Sequence, residues 1–243
     1  MMSHEKKTGL AIVGIMELLF IAGTSVLASI DFPPNPLVKP GWKLVVHDEF
    51  DGGDGKLNPE LWIDGYFPGR FGDSYDSPRM ASNCEFRWEK DTRFVVLMTR
   101  ASQPRGWVAG MATFNRLDWH KCYENRAISL QHRFSQKFGY FEVRSRHPVA
   151  VTGSHAAWWI LDNRGADYPM TREEKDVAWR VYGMEIHETG IRFFLNNELI
   201  HERSADWSQI KAWAHILSLY SKQPVADNEF HIDYFRVYER AAE

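Results

Sequence analysis

The chain has 243 residues, enough for one domain with a substantial core. Hydrophobic residues make up 44% and charged residues 25%, the proportions of an ordinary globular protein, which argues against gross disorder. The net charge of −3 is spread as mixed signs with no basic block, so the chain lacks the electrostatic footprint of a nucleic-acid binder.

Residues 1–30 read as a targeting segment. Lys6 and Lys7 precede an apolar stretch from Leu10 to Ile30, interrupted by Glu17, and Val26-Leu27-Ala28 offers small residues before a cleavage point at Ala28/Ser29. The same stretch approaches the roughly 20 apolar residues of a membrane span, so a cleaved signal and an uncleaved anchor both stay open. Either implies export (periplasmic, secreted or anchored), with membrane contact only through this segment. Pro33, Pro34, Pro36 and Pro40 make residues 31–41 an extended linker leading into the domain.

Short β-like runs follow. Trp42 to Val46 alternates and ends at Asp48-Glu49-Phe50-Asp51-Gly52. Phe94 to Thr99 is an apolar strand of buried type. Ala127 to Gln131 and Tyr140 to Arg146 alternate, whereas Ala156 to Leu161 is apolar throughout. Ile191 to Leu195, then Asn196-Asn197, then Glu198 to Ile200, reads as a hairpin. His215 to Tyr220 and Phe230 to Tyr238 complete the set, and one helix is predicted near Asp206 to Ala214 with Asp206 as N-cap. Such a series predicts a single all-β domain over 42–240, an antiparallel sandwich or jelly roll. The 10 tryptophans suit strand packing, and flat rings of this kind also stack on pyranose faces. Cys84 and Cys122 either pair, which export allows, or remain separate buried thiols.

Several runs, in order, resemble glycoside hydrolase family 16, the jelly-roll endo-glycanases of the concanavalin A-like lectin/glucanase type. Trp42 to Gly52 is similar to the family's opening strand, and Phe138 to Arg144 to its Gly-Tyr-Phe-Glu-x-Arg strand. Gly153 to Leu161 resembles its Gly-x-Trp-Pro-Ala-Phe-Trp-Leu-Leu segment, with His155 and Ala156 in place of Trp and Pro. Val181 to Ile186 resembles its Tyr-Gly-x-Glu strand, and Ile232 to Tyr238 its closing Val-Asp-Tyr-x-Arg-Val-Tyr. The resemblance implies a monomeric, retaining, endo-acting glycosidase directed at β-linked glucan or galactan. It implies no required cofactor, though family members often hold a structural calcium near the closing strand, where Asp233 is the matching residue.

Retaining hydrolysis needs a nucleophilic carboxylate and a protonated one roughly 5 Å apart. The family places them on a strand just after the Trp-rich segment, as Glu-x-Asp-x-Glu or Glu-x-Asp-x-x-Glu, because residues two apart share a strand face. Between Leu161 and Val181 the best partial match is Glu174-x-Asp176, and Ala178 and Trp179 occupy the two positions for the third acid. Asp176 to Arg180 also reads as the lead-in to the Val181 strand. The interval is short, which predicts a jelly roll lacking one or two strands. Trp158 and Trp159 must face opposite sides of their strand, one toward a cleft and one toward the core. With His155, Trp107, Trp119 and Glu185 they form the candidate substrate-binding set, and Trp179 is a further aromatic candidate. Glu142 and Arg144 share a face and suggest an ion pair with each other. Three readings stay open: an active glycanase, a lectin-like pseudoenzyme that kept the groove, and a truncated gene product.

Overall fold

The computed structural model describes residues 30–52, 55–64, 84–99, 108–113, 134–149, 154–162, 167–169, 176–210, 212–221 and 227–242. Among them there are strands and turns and no helix. The strands are β1 (Trp42–Asp48), β2 (Ile63–Asp64), β3 (Cys84–Glu89), β4 (Thr92–Thr99), β5 (Val108–Ala112), β6 (Gly139–Val149), β7 (Ser154–Asp162), β8 (Asp167–Pro169), β9 (Asp176–His187), β10 (Gly190–Leu195), β11 (Glu198–Ser204), β12 (Trp213–Ser221) and β13 (Asn228–Arg240). All pairings are antiparallel. The larger sheet has eight strands in the order β11-β10-β9-β6-β13-β4-β3, with β1 also on β13; the smaller has five, β2-β5-β12-β7-β8.

The two sheets stack through one apolar core, as a sandwich requires. Phe141, Val143, Met184, Ile186, Val95, Leu97, Phe235 and Val237 come from the larger sheet, and Met111, Ala156, Trp158, Ile160, Trp213, Leu217 and Leu219 from the smaller. Alternation along β6 and β9 leaves Tyr140, Glu142, Arg144 and Glu185 on the opposite, outer face. In β13 the alternation shifts at a bulge between Ile232 and Tyr234, so that Ile232 and Phe235 both face the core while Asp233 and Tyr234 bond to the outer-face side chains Arg144 and Glu142.

The outer face of the larger sheet is covered by the Pro-rich segment 30–41. It is extended, as read from sequence, but it lies along the sheet instead of projecting from it. Phe32 N–H donates to the Trp179 carbonyl (2.9 Å), and Trp179 N–H to Asp31 Oδ1 (2.9 Å). Farther on, Asn35 donates to fully buried Glu142 (2.8 Å), which also receives Tyr234 Oη (2.9 Å) and an ion pair from Lys39 (3.2 Å). Arg144 pairs with Asp233 (2.6 Å) and donates to the Phe32 carbonyl (2.8 and 3.0 Å). Glu142 and Arg144 therefore share a face, as expected, but hold separate partners.

The hairpin over β10 and β11 forms as read, with Asn196 and Asn197 at φ of 52° and 69°, the left-handed pair that a tight hairpin turn needs. The expected helix at Asp206 does not form. Asp206 instead accepts Ser208 N–H (2.8 Å), Ile210 N–H reaches the Trp207 carbonyl (3.0 Å), and the chain enters β12 at Trp213. An acceptor side chain before a short turn carries the same local signal as a helix cap. The expected strand at Ala127 to Gln131, Trp107, Trp119, Cys122, Glu174 and the segment 1–29 lie outside the described residues.

Candidate functional site

The tryptophan pair of β7 is split between the two faces of the smaller sheet. Trp158 is in the core at 1% exposure, where its Nε1 donates to Nδ1 of His215 (3.2 Å). His215 packs among Phe134, Phe141 and Phe235, and its burial depresses its pKa to about 3, so it acts as a neutral acceptor. Trp159 takes the other face. It is half-buried, and its Nε1 donates to Ser218 Oγ on β12 (2.9 Å). Register places Ile216 of β12 and Pro169 of β8 opposite Trp159, and Ala157 opposite Ser218. Trp159 is thus a large flat ring held by a hydrogen bond on the face opposite the core, a surface able to stack on a sugar. His155, on the same strand, is in register with Tyr220.

Of the partial motif, Asp176 is not on this sheet. Asp176 opens β9 in the larger sheet, in register with His147. Its carboxylate pairs with Arg180 (3.0 Å) and accepts Ala178 N–H (3.1 Å). Burial raises its pKa, opposed by that N–H and by Arg180. It is a carboxylate that secures the start of β9. The strand that directly follows the Trp-rich one is β8, Asp167-Tyr168-Pro169, with Asp167 in register with Leu161. Asp167 has Gly165 and Pro169 two residues away, so the Glu-x-Asp spacing does not reveal it; its place at the start of the next strand after β7 does.

Glu185 and Asp233 are on the outer face of the larger sheet, away from Trp159. Glu185 is buried and held by Arg240 (2.5 Å), with Arg192 at 3.8 Å. Asp233 is buried against Arg144 (2.6 Å); burial raises its pKa and Arg144 opposes the rise. Calcium takes about six to eight oxygen ligands. A carboxylate already occupied by a guanidinium, with Arg236 close enough to affect its titration, does not supply such a set. Among the described residues no cluster of His, Cys, Asp and Glu could hold a metal ion. Trp179 is also on the outer face, buried at 4%, with the guanidinium groups of Arg144 and Arg146 at 4.7 and 4.5 Å from its ring centre. That is a packing role, since both cations cover the ring.

No protein-family model matches the chain, and no curated protein does. Its fold is similar to several solved structures. A GlcNAcα1-4Gal-releasing endo-β-galactosidase from Clostridium perfringens superposes with a TM-score of 0.65 at 21% identity, over 88% of this chain and 66% of that one. SCLam, a non-specific endo-β-1,3(4)-glucanase of family GH16, gives 0.62 at 14% identity over 89% and 98%. The laminarinase from Rhodothermus marinus gives 0.60 at 17% identity over 83% and 98%. The chain therefore has the jelly-roll fold of these glycanases.

Proposed function

We propose that this chain is an exported polysaccharide-directed jelly roll of the family 16 type, which engages a β-linked glucan or galactan through the Trp159 face of its smaller sheet and serves by binding it. The observation that carries the reading is the separation of the parts. The ring suited to a sugar is on β7, while Asp176 of the partial acid motif is on the other sheet and committed to Arg180. Retaining cleavage needs two carboxylates roughly 5 Å apart on one face. A second reading, hydrolysis, is favoured by the similar structures, which are named as glycanases. It would draw on Glu174 and on Asp167. Export rests on Lys6, Lys7 and the apolar stretch that follows.

The test uses the purified full chain with laminarin, mixed-linkage β-glucan, agarose, carrageenan and xyloglucan. Affinity electrophoresis measures binding, and a reducing-end assay measures cleavage. Retardation by at least one polysaccharide, lost in Trp159→Ala and unaccompanied by reducing ends, is the expected result. Reducing ends that disappear in Glu174→Gln would replace the binding reading with hydrolysis. A folded protein neither retarded nor active on any of them would overturn both.

A further inference from the structure

Glu185 lines a surface pocket of about 390 Å³ where the 30–41 segment, β1 and the outer face of the larger sheet meet. The volume falls within the roughly 300–1,000 Å³ typical of small-ligand sites. Trp42, Tyr140 and Phe194 give it aromatic walls, and Lys39, Glu185 and Arg240 its charged groups. The charges close on one another: Lys39 on Glu142 at 3.2 Å, Arg240 on Glu185 at 2.5 Å. Such a pocket offers no net charge to attract an ion. It does offer donors, a buried carboxylate acceptor and apolar rings side by side, which is the chemistry that matches a sugar's hydroxyls and C–H face.

Trp42 is partly exposed, its ring centre 5.6 Å from that of Tyr140. The Arg240 guanidinium sits 4.2 Å from the Trp42 ring centre with its side chain 66% exposed, so a sugar entering over Trp42 displaces it and offers its own hydroxyl donors to Glu185 in its place. We propose that this pocket is a second glycan-binding site, taking one or two neutral pyranose units. It is built on the opposite sheet from Trp159. The inference rests on the polysaccharide-directed reading above and deepens it: two sites on separate faces let one molecule bridge two polysaccharide chains, or hold one long chain with added avidity.

The tryptophan indole N–H resonances of the full chain report each site separately, with Trp42 assigned through Trp42→Phe and Trp159 through Trp159→Phe. Laminarihexaose, cellohexaose and neoagarohexaose serve as titrants. The Trp42 resonance is expected to move with at least one of them, to move equally in Trp159→Ala, and to need roughly tenfold more sugar in Glu185→Gln. A Trp42 signal unmoved by all three while Trp159 responds overturns the second site and leaves the first standing. A Trp42 shift that vanishes in Trp159→Ala, or that ignores Glu185→Gln, also overturns it. Silence at both rings with all three sugars overturns this site and the reading it rests on together.

Discussion

At the scale of single residues, adjacent side chains can have unrelated jobs. Trp158→Ala removes a fully buried ring and leaves Nδ1 of His215 without its donor, so a loss of about 3–5 kcal/mol is expected in denaturant titration. Trp159→Ala, on a half-buried ring, is expected to cost about 1 kcal/mol or less while removing sugar binding. That the two rings diverge follows from strand periodicity alone; which one enters the core was settled by the pairing of β7 with β12. Gly183 shows the same division. The Tyr-Gly-x-Glu pattern is legible in the sequence, but its reason is not. A Cβ on Gly183 would lie 2.1 Å from the Tyr140 hydroxyl and 3.2 Å from Phe194 Cβ. Gly183→Ala is therefore expected to lose roughly 1–3 kcal/mol through overpacking, measured by the shift in denaturation midpoint. The partial motif Glu174-x-Asp176 is legible as spacing, and Asp176 as the lead-in to the Val181 strand, which is β9; that this strand belongs to the sheet opposite Trp159 only the sheet order reveals.

At the scale of elements, the 30–41 segment changes most between sequence and structure. Its prolines dictate an extended path, which it takes. They say nothing of its hydrogen bonds, and these are what fix it: Asp31 and Phe32 to Trp179, Phe32 to Arg144, and Asn35 to Glu142 and Asn197. Deleting residues 1–36 would take two partners from a carboxylate and an arginine that are both buried. Relative to a chain beginning at residue 30, it is expected to lose about 1–3 kcal/mol in thermal or chemical unfolding, because each buried charged group keeps its ion pair but is left one hydrogen-bond partner short. A deletion that leaves stability unchanged would show the segment to be a linker after all. The hairpin turn ties into this clasp, since Asn197 and Asn35 exchange amide hydrogen bonds at 2.7 and 2.9 Å. Asn196-Asn197 is legible as a turn; its second use, as an anchor, depends on a partner more than 160 positions away.

At the scale of the whole molecule, two buried histidines set the acid limit. His231 donates Nε2–H to Glu229 (2.8 Å) and accepts Arg146 at Nδ1 (3.1 Å), and burial holds its pKa down at about 4. His215 is held at about 3 by burial. Both are neutral when folded and bind protons more readily when unfolded, so the stability they confer is present above pH 6.5 and lost as the pH falls toward 4. The unfolding free energy is expected to fall over that window at up to about 1.4 kcal/mol per pH unit for each histidine. The raised pKa values of Asp48, Asp176 and Asp233 oppose the fall at its acid end. Denaturation curves from pH 7 to 4 check the slope, which should flatten in His231→Gln.

An all-β antiparallel sandwich and the order of most of its strands are legible in the chain, because period-2 alternation and turn residues are local signals carried by neighbours; the ordered resemblances to family 16 narrow the sandwich to a jelly roll. The sequence also determined that a Trp-rich strand would present one ring on each side. The folded arrangement was needed to show that Trp158 faces the core, that Asp176 and Trp159 belong to different sheets, that Asp233 is taken by Arg144, and that the proline-rich segment closes over Glu142 and helps to form the Glu185 pocket. Those outcomes depend on pairings and ion contacts between residues far apart in the chain, and local pattern holds no record of which distant partner a side chain will meet.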